Sequence, residues 1–328
     1  MMRKERMKPR APRTPAPRSH PADLDWIELI LGFGCNCRCQ VCSGSQPETA
    51  CGMAADEVRA WLDHGRSRGA SGVWFGGGEP SLQPELVGGL QQAVSLGYSR
   101  RRVQTNGLRF AYPAFTQRLV VAGLTEVSVS VKGGRAATHE AMTRLPGSFA
   151  LLQQGVRNLA STGVRVEADV LLTQPMLSEL EDVVARFSDL GVEAFHLWLV
   201  SAHGHPESDA VKALIPSFSL LAPAIARAAR RADALGVGLD SLHTPPCTLD
   251  AQDRTRYQPS SKWRLLVALP GGEAFFAQES PMEGGRYLPG CTRCSARSGC
   301  LGLREDYLDV HGAEGIDPIR QPRRRASR

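Results

Sequence analysis

The sequence predicts an α/β fold: a partial (β/α)6 barrel of TIM type with a small cysteine-rich C-terminal extension. Two observations predict the repeat. Apolar strand segments alternate with helical segments from residue 27 onward. Five glycines, Gly69, Gly97, Gly123, Gly163 and Gly191, each follow a helical segment and precede a strand, as helix C-caps do. A third observation selects a barrel over an open doubly wound sheet, since the alternation by itself fits either. The polar and glycine-rich motifs fall at or just beyond the C-terminal ends of strand segments, where barrel sites collect.

In chain order the strand segments are Ile27–Leu31, Gly72–Phe75, Arg102–Thr105, Glu126–Val131, Val164–Leu172 and Ala194–Val200. Between them lie the helical segments Ala54–Arg68, Glu85–Leu96, Tyr112–Ala122, Ser148–Ser161 and Ser178–Leu190. A helix from about Ala222 to Leu235 closes the repeat; Pro223 falls in its first turn, and Ala224, Ala228 and Ala232 recur at core-packing spacing. After Gly236 the pattern changes. Leu265–Leu269 and Glu273–Phe276, joined by Pro270-Gly271-Gly272, read as a β-hairpin, and a cysteine-rich segment follows from Cys291 to Cys300. The expected organisation is a basic Pro-rich tail over 1–22, a core over 23–236, a small domain over 237–318 and a basic tail over 319–328.

The net charge of +6 sits in the tails. Residues 1–20 carry seven Lys/Arg against Glu5, and residues 320–328 carry five Arg and no acid, leaving the body between them at about −5. A nucleic-acid enzyme more often carries its basic surface on the folded domain, so nucleic acid is not the expected partner. Both tails read as solvated, disordered chain. No run of 18 apolar residues is present, so no membrane span is expected, and the basic N-terminus has no apolar stretch behind it, unlike a secretory signal. Nine cysteines without an export signal argue for metal or iron–sulfur ligation in a reducing cytoplasm rather than for disulfides.

Cys35, Cys39 and Cys42 form C-x3-C-x2-C, with Cys37 as a surplus thiol. Three thiolates on a short loop can hold three irons of a [4Fe–4S] cluster and leave the fourth open. The rival is a zinc site using all four, although structural zinc favours two C-x2-C pairs held apart and this segment has one. Downstream stands Gly76-Gly77-Gly78-Glu79-Pro80; alone it would be a plain turn, its glycines letting backbone approach a ligand. With the cysteine loop it resembles the radical S-adenosylmethionine (SAM) superfamily from about Ile27 to Val200. The resemblance implies reductive cleavage of SAM at a [4Fe–4S] cluster and hydrogen abstraction from a substrate by a 5′-deoxyadenosyl radical. It also implies a reductant such as flavodoxin or ferredoxin.

Residue by residue, the resemblance assigns cluster ligation to Cys35, Cys39 and Cys42, and none to Cys37. It assigns SAM contact to Gly77, Gly78, Glu79 and Ser130, and adenine packing to Val41, where the family usually has an aromatic residue. Thr105, in Thr105-Asn106-Gly107, matches a pocket-lining segment; a strand followed by an Asn-Gly turn is the plain alternative. Lys132 stands where the family has aspartate, so either the substrate carries a negative group there or the side chain turns away. His139 reads as a solvent-facing helix-start residue, and His203 and His205 as exposed loop residues.

Cys291-x2-Cys294-x5-Cys300 resembles the core of the SPASM and twitch extensions, which carry auxiliary iron–sulfur clusters. Arg304 stands where the full SPASM pattern has a further cysteine, so one auxiliary [4Fe–4S] cluster is expected, with Cys247 as fourth ligand; zinc satisfies the same four thiolates. Cys51 is left as a small buried apolar residue. Peptide maturation is the first substrate expectation and small-molecule cofactor biosynthesis the second. Residues 323–328 lack the double-glycine tail by which molybdopterin-type enzymes resemble one another. An iron–sulfur sensor or electron-transfer protein is the non-enzyme alternative.

Overall fold

The computed structural model describes residues 23–42, 52–205 and 207–320. Cys51 and almost all of both basic tails lie outside the described residues. The chain runs β1 (Trp26–Ile30), α1 (Ala55–Ser67), β2 (Gly72–Gly76), α2 (Glu85–Ser95), β3 (Arg100–Thr105), α3 (Pro113–Val121), β4 (Glu126–Val131), α4 (Ala136–Thr143) and α5 (Ser148–Ala160). It continues with β5 (Arg165–Leu172), α6 (Leu180–Asp189), β6 (Ala194–Leu199), α7 (Ser208–Lys212), α8 (Phe218–Leu235), β7 (Gly238–Ser241), β8 (Leu265–Ala268), β9 (Ala274–Phe276) and α9 (Glu305–His311).

All strands form one sheet in the order β7-β6-β5-β4-β3-β2-β1-β8-β9, parallel except for the β8–β9 hairpin. This is the expected partial barrel, open between its edge strands. The five capping glycines all adopt the left-handed backbone that ends a helix without a Cβ penalty.

Alternation along the strands divides the barrel into two chemistries. On β4, Val127, Val129 and Val131 are fully buried on the helix side, whereas Glu126, Ser128 and Ser130 take the opposite parity and face the lumen. β1 repeats this with Ile27 and Leu29 outward and Trp26, Glu28 and Ile30 inward.

Residues beyond 236 supply strands to both edges of the core sheet. β7 pairs with β6, and β8 pairs in parallel with β1, in the register Trp26↔Leu265 to Leu29↔Ala268. Helix α8 begins four residues earlier than its apolar pattern suggests, so Pro223 sits inside it rather than in the first turn. The carbonyl that the ring turns away from is that of Ser219, on the exposed first turn, where water can serve it. His139 is also placed differently from expectation. It is 1 % exposed, its Nδ1 accepts the Lys132 N–H at 3.3 Å, and burial first and the Lys132 charge second hold its pKa down at about 3, so the ring is neutral.

The lumen at the N-terminal strand ends is a cavity of about 270 Å³ lined by a charged network. Arg102 bonds Glu126 (2.9 Å) and Glu167 (2.5 Å), while His196 lies between Glu167 (3.1 Å) and Asp240 (2.8 Å). Burial would lower His196, but the bonds to Asp240 and Glu167 outweigh it and push it up to about 10. Burial would raise Glu167, but His196 and Arg102 bring it down to about 2. A raised histidine stabilises fully below its unfolded pKa and loses that contribution as pH rises through the folded value. Stability is therefore expected to fall between pH 7 and 10, by up to about 4 kcal/mol from this group. His196→Gln should flatten that slope in urea titrations; an unchanged slope would remove His196 from this role.

Candidate functional site

The loop over residues 31–42 leaves β1 across the C-terminal strand ends and is held by its backbone. Leu31 N–H donates to Gly76 O (3.0 Å), Gly78 N–H to Gly32 O (2.8 Å) and Glu79 N–H to Gly34 O (2.9 Å). On the far side, Arg38 and Gln40 donate to the carbonyls of Thr143 and Met142 at the end of α4. The glycine run exists for this docking. A Cβ on Gly77 would stand 2.4 Å from Gly32 O, and one on Gly78 2.3 Å from Phe33 O. The side of each glycine that a Cβ would occupy faces the loop's own backbone, and both glycines also line a cavity. Gly78→Ala is expected to push the loop off the strand end and lower iron retention by at least half, read as iron per chain after anaerobic reconstitution.

The eight described cysteines are free thiols. Cys37, 3 % exposed, lies between Cys35 and Cys39 and shares hydrogen bonds with both. That bond is the main reason Cys35 is lowered to about 7 and Cys39 to about 6; the Lys132 and Arg144 charges assist at Cys39. Cys37 is correspondingly raised. Two outer thiols poised as thiolates around a protonated inner one suit metal ligation by Cys35 and Cys39. Val41 is partly buried against the core, and Cys42 opens onto the cavity.

Glu79 is fully buried and its carboxylate points inward. It accepts from Ser81 N–H (3.0 Å), Thr105 Oγ1 (2.7 Å) and Asn106 N–H (2.7 Å). Thr105 Oγ1 is used again as acceptor for Gly107 N–H. Both side chains join the ends of β2 and β3 rather than project into open space. The residue they position is Asn106. Its Nδ2 donates to Asn36 Oδ1 (2.6 Å), with Cys35 Sγ at 3.8 Å and Cys37 Sγ at 3.6 Å. Sequence reasoning had only the Asn-Gly dipeptide as a signal here. Lys132 does not turn away: its Nζ donates to Ser130 Oγ at 2.6 Å.

The C-terminal thiols also converge. Cys247, on the turn Pro246–Thr248, and Cys291, Cys294 and Cys300 surround one small cavity. Burial first, then the neighbouring Cys300, Cys294 and Cys291, pushes Cys247 up to about 11. A bound cationic centre would relieve such crowding. Among the described residues no three His, Cys, Asp or Glu side chains converge on a point that would hold a single ion. Arg304 closes the question of a further ligand at its position. It donates to Leu199 O (2.7 Å), Val200 O (2.6 Å) and both carboxylate oxygens of Asp306. Asp306 in turn accepts from Ala202 N–H and Ser201 Oγ. His203 is exposed, and His205 accepts Glu207 N–H within its loop.

The profile of the Radical SAM superfamily matches residues 29–190, which contain both the cysteine loop and the glycine-rich turn. Residues 29–190 form a radical SAM superfamily domain. Curated relatives of this chain include an AdoMet-dependent heme synthase of Methanosarcina barkeri, 27% identical over 188 residues (56% of this chain, 53% of the relative). A probable GTP 3′,8-cyclase of Saccharolobus solfataricus is 24% identical over 177 residues (53% and 56%). The chain spans about half the length of the curated relatives it matches.

In fold it is similar to Streptococcus suis SuiB bound to precursor peptide SuiA, with TM-score 0.67 and 12% identity over 92% of this chain and 75% of that one. It is also similar to anSMEcpe with bound AdoMet and the Cp18Cys peptide, with TM-score 0.63 and 11% identity over 90% and 92%. Both likenesses extend into the cysteine-rich C-terminal region. No described helix is long and apolar enough to cross a membrane.

Proposed function

We propose that this radical SAM enzyme binds a [4Fe–4S] cluster through Cys35, Cys39 and Cys42 and uses it to cleave SAM reductively for hydrogen abstraction from a peptide. The observation that carries the proposal is the cysteine loop docked on Gly76–Glu79, with Cys42, Gly77 and Gly78 opening onto a lumen cavity of about 370 Å³. When bound and reduced, such a cluster supplies the electron that divides SAM into methionine and a 5′-deoxyadenosyl radical.

The chain's own residues set the geometry. Gly77 and Gly78 fix the loop, Glu79 holds Thr105 and Asn106 against it, and Ser130 with Lys132 lies on the neighbouring strand end near Cys39. Val41 packs beside the ligand loop, and the lumen walls exclude water from the reacting group. Cys247, Cys291, Cys294 and Cys300 are proposed to hold one auxiliary [4Fe–4S] cluster. A flavodoxin or ferredoxin is the proposed reductant and a reducing cytoplasm the proposed compartment.

The peptide reading is supported by fold likeness to two peptide-bound enzymes over nine-tenths of the chain, including the C-terminal lobe. The curated small-molecule relatives match over about half of it. Their higher identity favours the second reading, a small-molecule substrate. The test is anaerobic reconstitution, reduction and incubation with SAM, then chromatography for 5′-deoxyadenosine. About eight irons per chain with 5′-deoxyadenosine formation is the expected result; full iron loading without that product, with or without candidate peptides, would leave the sensor alternative.

A further inference from the structure

Glu28 stands in the middle of β1 on the lumen face, beside Trp74 of β2 and Val267 of β8. It lines the same 370 Å³ cavity as Cys42, Gly77 and Gly78. Space has been made for it, because a Cβ on Gly76 would fall 2.6 Å from its Oε1. Among the described residues no hydrogen bond or ion pair reaches its carboxyl. Asp169 is occupied by Gln104 (2.7 Å), and Glu283 engages His243 through one oxygen (3.4 Å). Burial first and Asp169 second push Glu28 up to about 7, as expected of a carboxyl in apolar surroundings.

Among the described residues, four buried polar atoms on residues of the wall lack a partner: Trp74 Nε1, Trp198 Nε1, Ser260 Oγ and Glu283 Oε2. The indole N–H groups of Trp74, 6 % exposed, and Trp198 are buried without an acceptor. Buried polar groups are ordinarily paired, so these four, together with the partly exposed Glu28 carboxyl, mark the chamber as a site for a ligand that completes them. The remaining walls are largely apolar, with Trp263, Phe275 and Phe33 supplying flat surfaces.

We propose that this chamber takes a phenolic side chain, with Glu28 as its specificity-determining contact. A phenol hydroxyl can donate to the carboxyl and accept from an indole N–H at once; an indole substrate could only donate, and a plain phenyl ring could do neither. That the phenol belongs to a peptide rests on the proposed function; the chemistry of the chamber does not.

The test uses the reconstituted full-length protein and isothermal titration with three probes: 4-methylphenol, 3-methylindole and toluene. The expected order of affinity is phenol, then indole, then toluene, with phenol over toluene on the order of tenfold. Glu28→Leu should abolish that preference and Glu28→Gln retain part of it, with melting temperatures confirming that each variant is folded. Equal affinities, an unchanged order in Glu28→Leu, or no binding of any probe would overturn the inference. The 5′-deoxyadenosine assay on the same preparation reports separately on the proposed function. Product without phenol preference sinks only the inference, and preference without product sinks only the function.

Discussion

Cys39→Ala protein is expected to make no 5′-deoxyadenosine above background and to bind about four irons per chain instead of about eight. Cys39 is central in the loop, its thiol set by Cys37 on one side and the Lys132 charge on the other. Without it two thiolates remain for three irons, and the cluster loses its open-site geometry. Retention of about four irons reports the C-terminal set of Cys247, Cys291, Cys294 and Cys300, which lies on other elements. The decisive control is Cys37→Ala. Cys37 is not one of the three proposed ligands, and bound iron would itself hold Cys35 and Cys39 as thiolates, so its replacement should leave iron content near wild type. Equal iron loss in the two variants would mean that Cys37 ligates and that the C-x3-C-x2-C assignment is wrong.

Arg304→Met should destabilise the protein by about 3–5 kcal/mol, the usual cost of leaving one member of a buried ion pair without its partner. Arg304 is 4 % exposed and Asp306 8 %. Burial would raise the Asp306 carboxyl, but Arg304's hydrogen bonds and charge hold it below the ordinary range. Loss of the guanidinium also orphans the carbonyls of Leu199 and Val200, at the end of β6 where the cysteine-rich segment is anchored. Denaturant titration measures the loss. Asp306→Asn in the Arg304→Met background should recover part of it, because the stranded charge is then removed while Ala202 and Ser201 keep an acceptor. A change below 1 kcal/mol in Arg304→Met would show that the clamp contributes little.

Much of this was legible before any coordinates. Apart from β3, which opens on three arginines, strands β1 to β6 are largely apolar or alternating runs, and their helices end at glycines whose left-handed backbone the structure contains. The ligand candidates were visible because cysteine spacing is local. Strand β7 was not: Gly238–Ser241 is four residues long, led by glycine, and has no apolar run. Helix α4 was missed for a related reason, since Ala136–Thr143 has little apolar contrast between its faces. His139 looked like a solvent residue because it is polar and near a helix start, yet its burial is set by α5 through Phe149, packed at 5.5 Å.

The sequence by itself determined the alternation, the caps, the cysteine loop and its glycine-rich dock, because each depends on residues within a few positions of one another. Only the tertiary structure decided what faces the lumen and what each polar group there does. Charged residues on strands, such as Arg102, Glu167 and His196, resemble surface residues until register brings them together across neighbouring strands. The return of β8 to β1, 239 residues from Trp26 to Leu265, is equally invisible locally. It decides that Glu28 lies inside a chamber rather than on an edge. Its carboxyl opens onto that chamber without a protein partner among the described residues, because neither its neighbours in sequence nor those across the sheet offer one.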